Sequence, residues 1–273
     1  MNIVVCIKQV LDTTDIKFDP ATGYLKRAGV PVMISSLDEY AVEEALRLKE
    51  AHGGTVKALA MGPASAIETL RHAIAMGADD AVHVCDDACA GADSVATAYV
   101  LARAIAKIGA VDLVICGAES IDGNTAYVGP AVAEMLGLPC VTFVSKIEEI
   151  APGASDAAGN GSGAGGNGGK LVARRMMEEG YDRGECPTPA VLTVVKAINE
   201  PRISSLKGKM RAKKYQPEVV AVAALPSVNP ARVGAAGATS RVVRTFPPDP
   251  RPTGVVIMGE PDEIAEKLYQ ALR

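Results

Sequence analysis

The chain runs to 273 residues, 48% of them hydrophobic, with no Trp, three Phe and a formal net charge of −4. That length allows one large domain or one domain with an appendage, and that apolar share is ample for a sizeable core, so disorder is not the default reading. The net charge argues against general affinity for nucleic acid or anionic membrane, and no apolar run reaches the roughly 18 residues of a membrane span.

The opening MNIVVCIKQV has no basic region before its apolar run, so Ile3–Ile7 reads as a first strand instead of a signal peptide. Ile16–Phe18 and Tyr24–Lys26 flank Asp19-Pro20-Ala21-Thr22-Gly23, a hairpin signal inserted after that strand. Leu37, Ala41, Ala45 and Leu48 recur at helical spacing, and Ser36 followed by Glu39 predicts a capping box at the start of that helix. Strands are predicted at Val56–Met61, Ala81–Cys85, Val111–Cys116, Val141–Val144 and Ala190–Val195. Between them, Ile67, Leu70 and Ile74 mark one helix, and Val95, Tyr99, Ala102 and Ile105 another. Gly53, Gly77, Gly109 and Gly137 stand where helix stop signals belong. A core of Val, Ile, Leu, Ala and Met in strand–helix alternation predicts a parallel α/β sheet flanked by helices, with right-handed crossovers.

Ala151–Lys170 is rich in Gly, Ala, Ser and Asn and predicts a mobile surface loop. From Lys196 onward the alternation stops and prolines recur; only Asp262–Leu272 reads as helical, with Ile264, Leu268 and Leu272 on one stripe. The chain therefore divides into an α/β domain, residues 1–196, and a docking segment with an extended C-terminal arm, residues 197–273. A proline-punctuated arm cannot bury its own backbone polar groups, so it lies along another surface, its own domain's or a partner's.

Six cysteines (6, 85, 89, 116, 140 and 186) show no pairing pattern, and Cys6, Cys85 and Cys116 fall in apolar strand-like runs, which fits a reducing cytoplasm. His83, Cys85 and Cys89 lack the second Cys/His pair of a zinc site. There is no GxxxxGK[ST], no GxGxxG between strand and helix, no GxSxG and no HExxH, and no nucleophile is paired with a base. The pattern is that of a binder or carrier.

The most informative stretch is VDLVICGAESIDGNTAYVGPAVAEMLGLP, Val111–Pro139, which runs from an apolar strand through a small-residue polar loop into a helix. Asp122, Asn124 and Thr125 supply side-chain groups, Gly117 and Gly123 permit close approach of a ligand, and Pro130 marks the first turn of a helix whose N-terminus attracts anions. Cys6–Gln9, Ile34–Asp38, Met61–Pro63 and Gly117–Thr125 all end at the carboxyl edge of the predicted sheet, where they line one adenosine-sized pocket; ordinary strand-to-helix turns are the alternative for each one alone. Ser204–Lys214, SSLKGKMRAKK, carries five positive charges and reads either as a solvated basic face or as a docking loop with Leu206 as its apolar anchor. Nucleic-acid binding is disfavoured there because no aromatic residues interleave to stack bases.

Taken in order, VVCIKQVLDT, DEYAVEEALRLKE, AMGPASAIETLRHAIAMGADDAVHV, the Val111–Pro139 stretch and NEPRISSLKGKMRAKK resemble the beta subunit of electron transfer flavoprotein over nearly the full length. The glycine-rich stretch at 151–170 matches no family feature. The resemblance implies a Rossmann-like adenine-nucleotide domain with an arm embracing an FAD-bearing alpha subunit. It implies a pocket for FAD or, alternatively, for structural AMP. Carried over by position, that pocket comprises Cys6, Ser35, Ser36, Leu37, Asp38, Met61, Gly117, Ala118, Glu119, Ser120, Ile121, Asp122, Gly123, Asn124, Thr125, Ala126, Tyr127 and Val128, with the Asp122–Thr125 region meeting the phosphates. Leu206, with Lys207, Lys209, Met210 and Arg211 around it, is implied to dock on an acyl-CoA dehydrogenase. Ser35-Ser36 replaces the Asn-Pro of many members, and Tyr127 replaces the Gln of GDTAQVG. The loop GNTAYVG is nevertheless closer to the flavin-binding pattern than to the AMP pattern, and flavin-binding members bifurcate electrons from NADH between a dehydrogenase and ferredoxin or flavodoxin.

Overall fold

The computed structural model describes residues 1–12, 29–151, 169–243 and 254–272. Its elements in chain order are β1 (Asn2–Cys6), β2 (Gln9–Leu11), β3 (Val32–Ile34), α1 (Ser36–His52), β4 (Thr55–Met61), α2 (Ile67–Met76), β5 (Asp80–Val84), α3 (Ser94–Ile108), β6 (Leu113–Gly117), α4 (Val128–Leu136), β7 (Cys140–Ala151), β8 (Gly169–Met177), β9 (Gly180–Thr188), β10 (Ala190–Val194), α5 (Leu206–Lys214), β11 (Glu218–Val220), α6 (Gly234–Gly237) and α7 (Pro261–Ala271).

Among the described residues a nine-stranded sheet is ordered β11-β5-β4-β1-β6-β10-β7-β8-β9, parallel as far as β7 and antiparallel through β8 and β9. The central strands are continuous runs of buried Val, Ile, Leu, Ala and Cys, as a sheet covered on both faces requires. One apolar layer joins one face to α1 and α2; the other joins the opposite face to α3 and α4. All four predicted stop glycines, Gly53, Gly77, Gly109 and Gly137, are helix C-caps with positive φ. No described helix is long and apolar enough to cross a membrane.

Four sequence expectations change. The capping box at Ser36 does not form: Ser35 is the N-cap of α1, no side chain caps it, and Ser36 is already helical. The amide of Ser35 is committed to the Lys8 carbonyl at 2.9 Å, which fixes the chain one residue earlier than the pattern suggested. The strand predicted at Val141–Val144 continues to Ala151 because β8 pairs along it, and β8 in turn holds β9, whose sequence GYDRGECPT shows no apolar alternation. The helix predicted at Asp262–Leu272 forms as α7, Pro261–Ala271, with Leu272 as its C-cap, but it is not alone in the last third. The basic run forms α5, with Ser205 capping the Gly208 amide at 3.0 Å and Ala212 buried.

The last third also returns to the sheet. β11 pairs in parallel with β5, and Val220, Val222, Leu225 and Val233 are buried in the α3–α4 layer. Contacts divide the described chain into two units, one ending at Arg241 and the other beginning at Val242 and containing α7. The hairpin expected at Ile16–Phe18 and Tyr24–Lys26 lies outside the described residues. So does most of the glycine-rich stretch 151–170, whose ends belong to β7 and β8.

Candidate functional site

The chain leaves β1 for β4 on one side through α1, and arrives at β6 on the other side through α3, so the strand order reverses between β1 and β6. Open α/β sheets bind ligands outside the carboxyl ends of their strands at such a point. Three strand ends and a helix start meet there. The Lys8 amide donates to Asp38 Oδ2 at 2.8 Å, the Gly117 amide donates to Asp38 Oδ1 at 3.1 Å, and the Ser35 amide closes on the Lys8 carbonyl. A Cβ at position 117 would lie 2.5 Å from Asp38 Oδ1, so only glycine lets the end of β6 approach the first turn of α1. Burial pushes the Asp38 carboxyl up to about 7, against the pull of the two amides and the Lys8 charge.

Residues 118–127 rise above this floor. Asn124 and Ala126 have φ of 46° and 52°, a left-handed conformation that costs a non-glycine residue about 1 kcal/mol or more. Ala126 is followed by Tyr127 in the right-handed region, the alternation that turns successive amides into an anion-binding concavity. Asn124 and Gly123 amides bond back to the Ser120 carbonyl, whereas those of Thr125 through Gly129 have no acceptor among the described residues. Those free donors open α4, where the helix dipole adds to them. Lys8 Nζ crosses to this loop, 2.6 Å from Asp122 Oδ1 and 3.2 Å from Ser120 Oγ. Burial works against ionisation of Asp122, but the Lys8 and Ser120 hydrogen bonds and the Lys8 charge hold its carboxyl below the ordinary range. Ser94 at the start of α3 reaches Thr125 Oγ1 at 3.3 Å, and Gln9 and Ser65 exchange hydrogen bonds that tie the start of β2 to the turn after β4.

The four predicted segments are thus brought together, though not as equals. Cys6, Ser35, Asp38 and Ala118 are buried; Ser36, Leu37, Met61, Gly117, Glu119, Ser120, Ala126 and Val128 are half-buried; Ile121, Asp122, Gly123, Asn124, Thr125 and Tyr127 are exposed. Cys6 stands in register beside Cys116, and the hydrogen bond the Cys116 thiol makes to Cys6, with burial, raises that thiol well above its usual value, so Cys116 is inert packing under the crevice. Ser35 Oγ is buried without a partner. Sequence reading placed Lys8 and Gln9 in the pocket only as part of the segment Cys6–Gln9 and passed over Ser65 and Ser94, because each acts on a segment distant in the chain.

A second region lies on α5. Leu206 and Met210 are 77% and 62% exposed, beside Lys207, Lys209 and Lys214. Arg211, also assigned to docking, is used internally: its guanidinium donates to the Ala78 carbonyl at 2.9 Å and to the Asp79 carbonyl. The approach to α5 is fastened to α1 by Arg202, which bonds Glu43 and Glu50, and by Asn199, which bonds Glu44 and the Tyr40 carbonyl. Burial works against charge on Glu43, but Arg202 and Arg47 outweigh it and keep its carboxyl below the ordinary range.

Fold and crevice together define a doubly wound α/β protein with a polar, amide-rich crevice at its switch point. A family model described as "Electron transfer flavoprotein domain" matches residues 22–225. The chain is 40% identical to "Electron transfer flavoprotein subunit beta" of Thermoanaerobacterium thermosaccharolyticum, covering 100% of this chain and 98% of that one. It is 37% identical to the subunit of the same name from Megasphaera elsdenii, with 98% of each covered. It is 38% identical to "Caffeyl-CoA reductase-Etf complex subunit CarD" of Acetobacterium woodii, with 100% and 98% covered. The chain belongs to the electron transfer flavoprotein family, among its beta subunits, and its function is electron transfer.

Proposed function

We propose that this chain pairs with an electron transfer flavoprotein alpha subunit, holds the adenylate end of FAD in the crevice, and relays electrons to an acyl-CoA dehydrogenase. The observation that carries the reading is the set of free amides from Thr125 to Gly129, framed by the left-handed Asn124 and Ala126 and opening α4. Such a donor set suits phosphate oxygens, and the short hydroxyls of Ser120 and Thr125 suit ribose or phosphate. Asp38 keeps the floor of the crevice in place from below, and Cys6 and Ala118 pack beneath it. A flavin bound there would supply hydride acceptance from NADH and single-electron delivery, toward the dehydrogenase on one side and ferredoxin or flavodoxin on the other.

GNTAYVG favours FAD over structural AMP in this pocket. On α5 the exposed Leu206 and Met210 amid lysines suit an apolar pocket with an acidic rim. The name of the Acetobacterium woodii relative, which couples an Etf to a reductase of a CoA ester, is in keeping with that partner. Flavin counting tests the reading: the purified heterodimer, denatured, is expected to release two FAD. One FAD and one AMP would eliminate bifurcation and leave plain electron carriage, and a colourless complex would remove the redox reading altogether.

A further inference from the structure

The resemblance assigns phosphate contact to the Asp122–Thr125 region, but a carboxylate repels a phosphate, and Asp122 already has a partner. Its Oδ1 lies 2.6 Å from Lys8 Nζ across 114 residues of sequence. The backbone of Lys8 is held on both sides, its amide by Asp38 and its carbonyl by Ser35, so the root of the side chain is fixed at the switch point while the side chain as a whole is 49% exposed. Asp122 and Ser120 engage two of the three ammonium donors. An ion pair this exposed contributes little to folding, so stability gives no reason for it. Placed in the same loop as the free amides of Thr125 to Gly129, it answers a different need. A lone cation there would face the positive end of the α4 dipole without compensation.

On the nucleotide reading above, we propose that Lys8 is the phosphate-holding cation of the crevice and that Asp122 is its placeholder, partnering the ammonium until the phosphate takes it over. The diphosphate of FAD offers two negative charges and four non-bridging oxygens, and the phosphate of AMP up to two charges and three oxygens, against the single charge of Asp122, which makes the exchange favourable. Asp122 then opposes phosphate binding, whereas direct coordination would have it assist.

The test is calorimetric titration of the nucleotide-stripped heterodimer with AMP and with adenosine, at fixed salt. Lys8→Met, which keeps the apolar stem, is expected to weaken AMP by tenfold or more and leave adenosine within twofold. Asp122→Asn is expected to tighten AMP severalfold, again without effect on adenosine. Unchanged AMP affinity in Lys8→Met, or a loss in Asp122→Asn that matches the loss in Lys8→Met, would overturn the proposal while the nucleotide site stands. Equal losses for AMP and adenosine in both variants would make the pair a structural strut and overturn it likewise. A wild-type heterodimer that takes up neither probe would remove the nucleotide reading, and this proposal with it.

Discussion

At the carboxyl edge of the sheet, polar groups of segments far apart in the chain are used on one another: Asp38 on Lys8 and Gly117, Lys8 on Asp122, Gln9 on Ser65. On α5 the balance is reversed, with the largest apolar side chains in water and the polar ones fastening the helix from behind. The two regions keep different groups in reserve. The crevice reserves backbone donors, which suit a small polar ligand, and α5 reserves apolar area ringed by charge, which suits a protein surface. The same α/β unit thus presents both kinds of surface, and neither uses residues of the other.

The hardest way to break this contrast is at Asp38. Asp38→Ala leaves two amides without an acceptor and is expected to cost about 2–4 kcal/mol in urea unfolding, with nucleotide retention lost as well. Unchanged stability would mean the crevice floor does not depend on it. The same residue sets a pH signature. Its native carboxyl titrates at about 7 against an ordinary 3.8, so between those values the native state holds a proton that the unfolded chain has released. Stability contributed by Asp38 is therefore complete at the acid end and falls as pH rises through that window. Asp38→Asn is expected to flatten the fall in denaturation curves taken across the range.

On the α5 side the effects are smaller and of another kind. Arg202→Ala leaves Glu43, only 3% exposed, with Arg47 alone, and about 2 kcal/mol of stability is expected to go, less than for a fully buried pair because Arg202 is itself 31% exposed. Loosening the approach to α5 is also expected to raise the KM of a partner dehydrogenase for the heterodimer while flavin content stays constant. Leu206→Ala has the least effect on folding, within about 0.5 kcal/mol, yet is expected to slow electron delivery to the dehydrogenase by about tenfold. Lost cofactor in that variant would show that the two regions are not separate.

Much of this was legible from the chain alone. The strands β1, β4, β5, β6 and β10, the helices α1 to α4 and their four terminal glycines follow from local apolar periodicity and from glycine's access to positive φ. The loop between β6 and α4 announced itself by its polar groups. What the chain order hid was partnership. β9 has no strand pattern of its own and exists because β8 offers it a full ladder, and α5 exists because Arg211 and Ala212 bind it to the body of the fold. Asp38 was expected in the nucleotide pocket, and its carboxylate acts as a clamp in the fold, since both its oxygens are claimed by backbone amides 30 and 79 residues away. Periodicity encodes which face of an element is buried, and that is a local property. Which polar groups then meet is decided by the strand order, and only the assembled sheet brings Lys8 opposite Asp122.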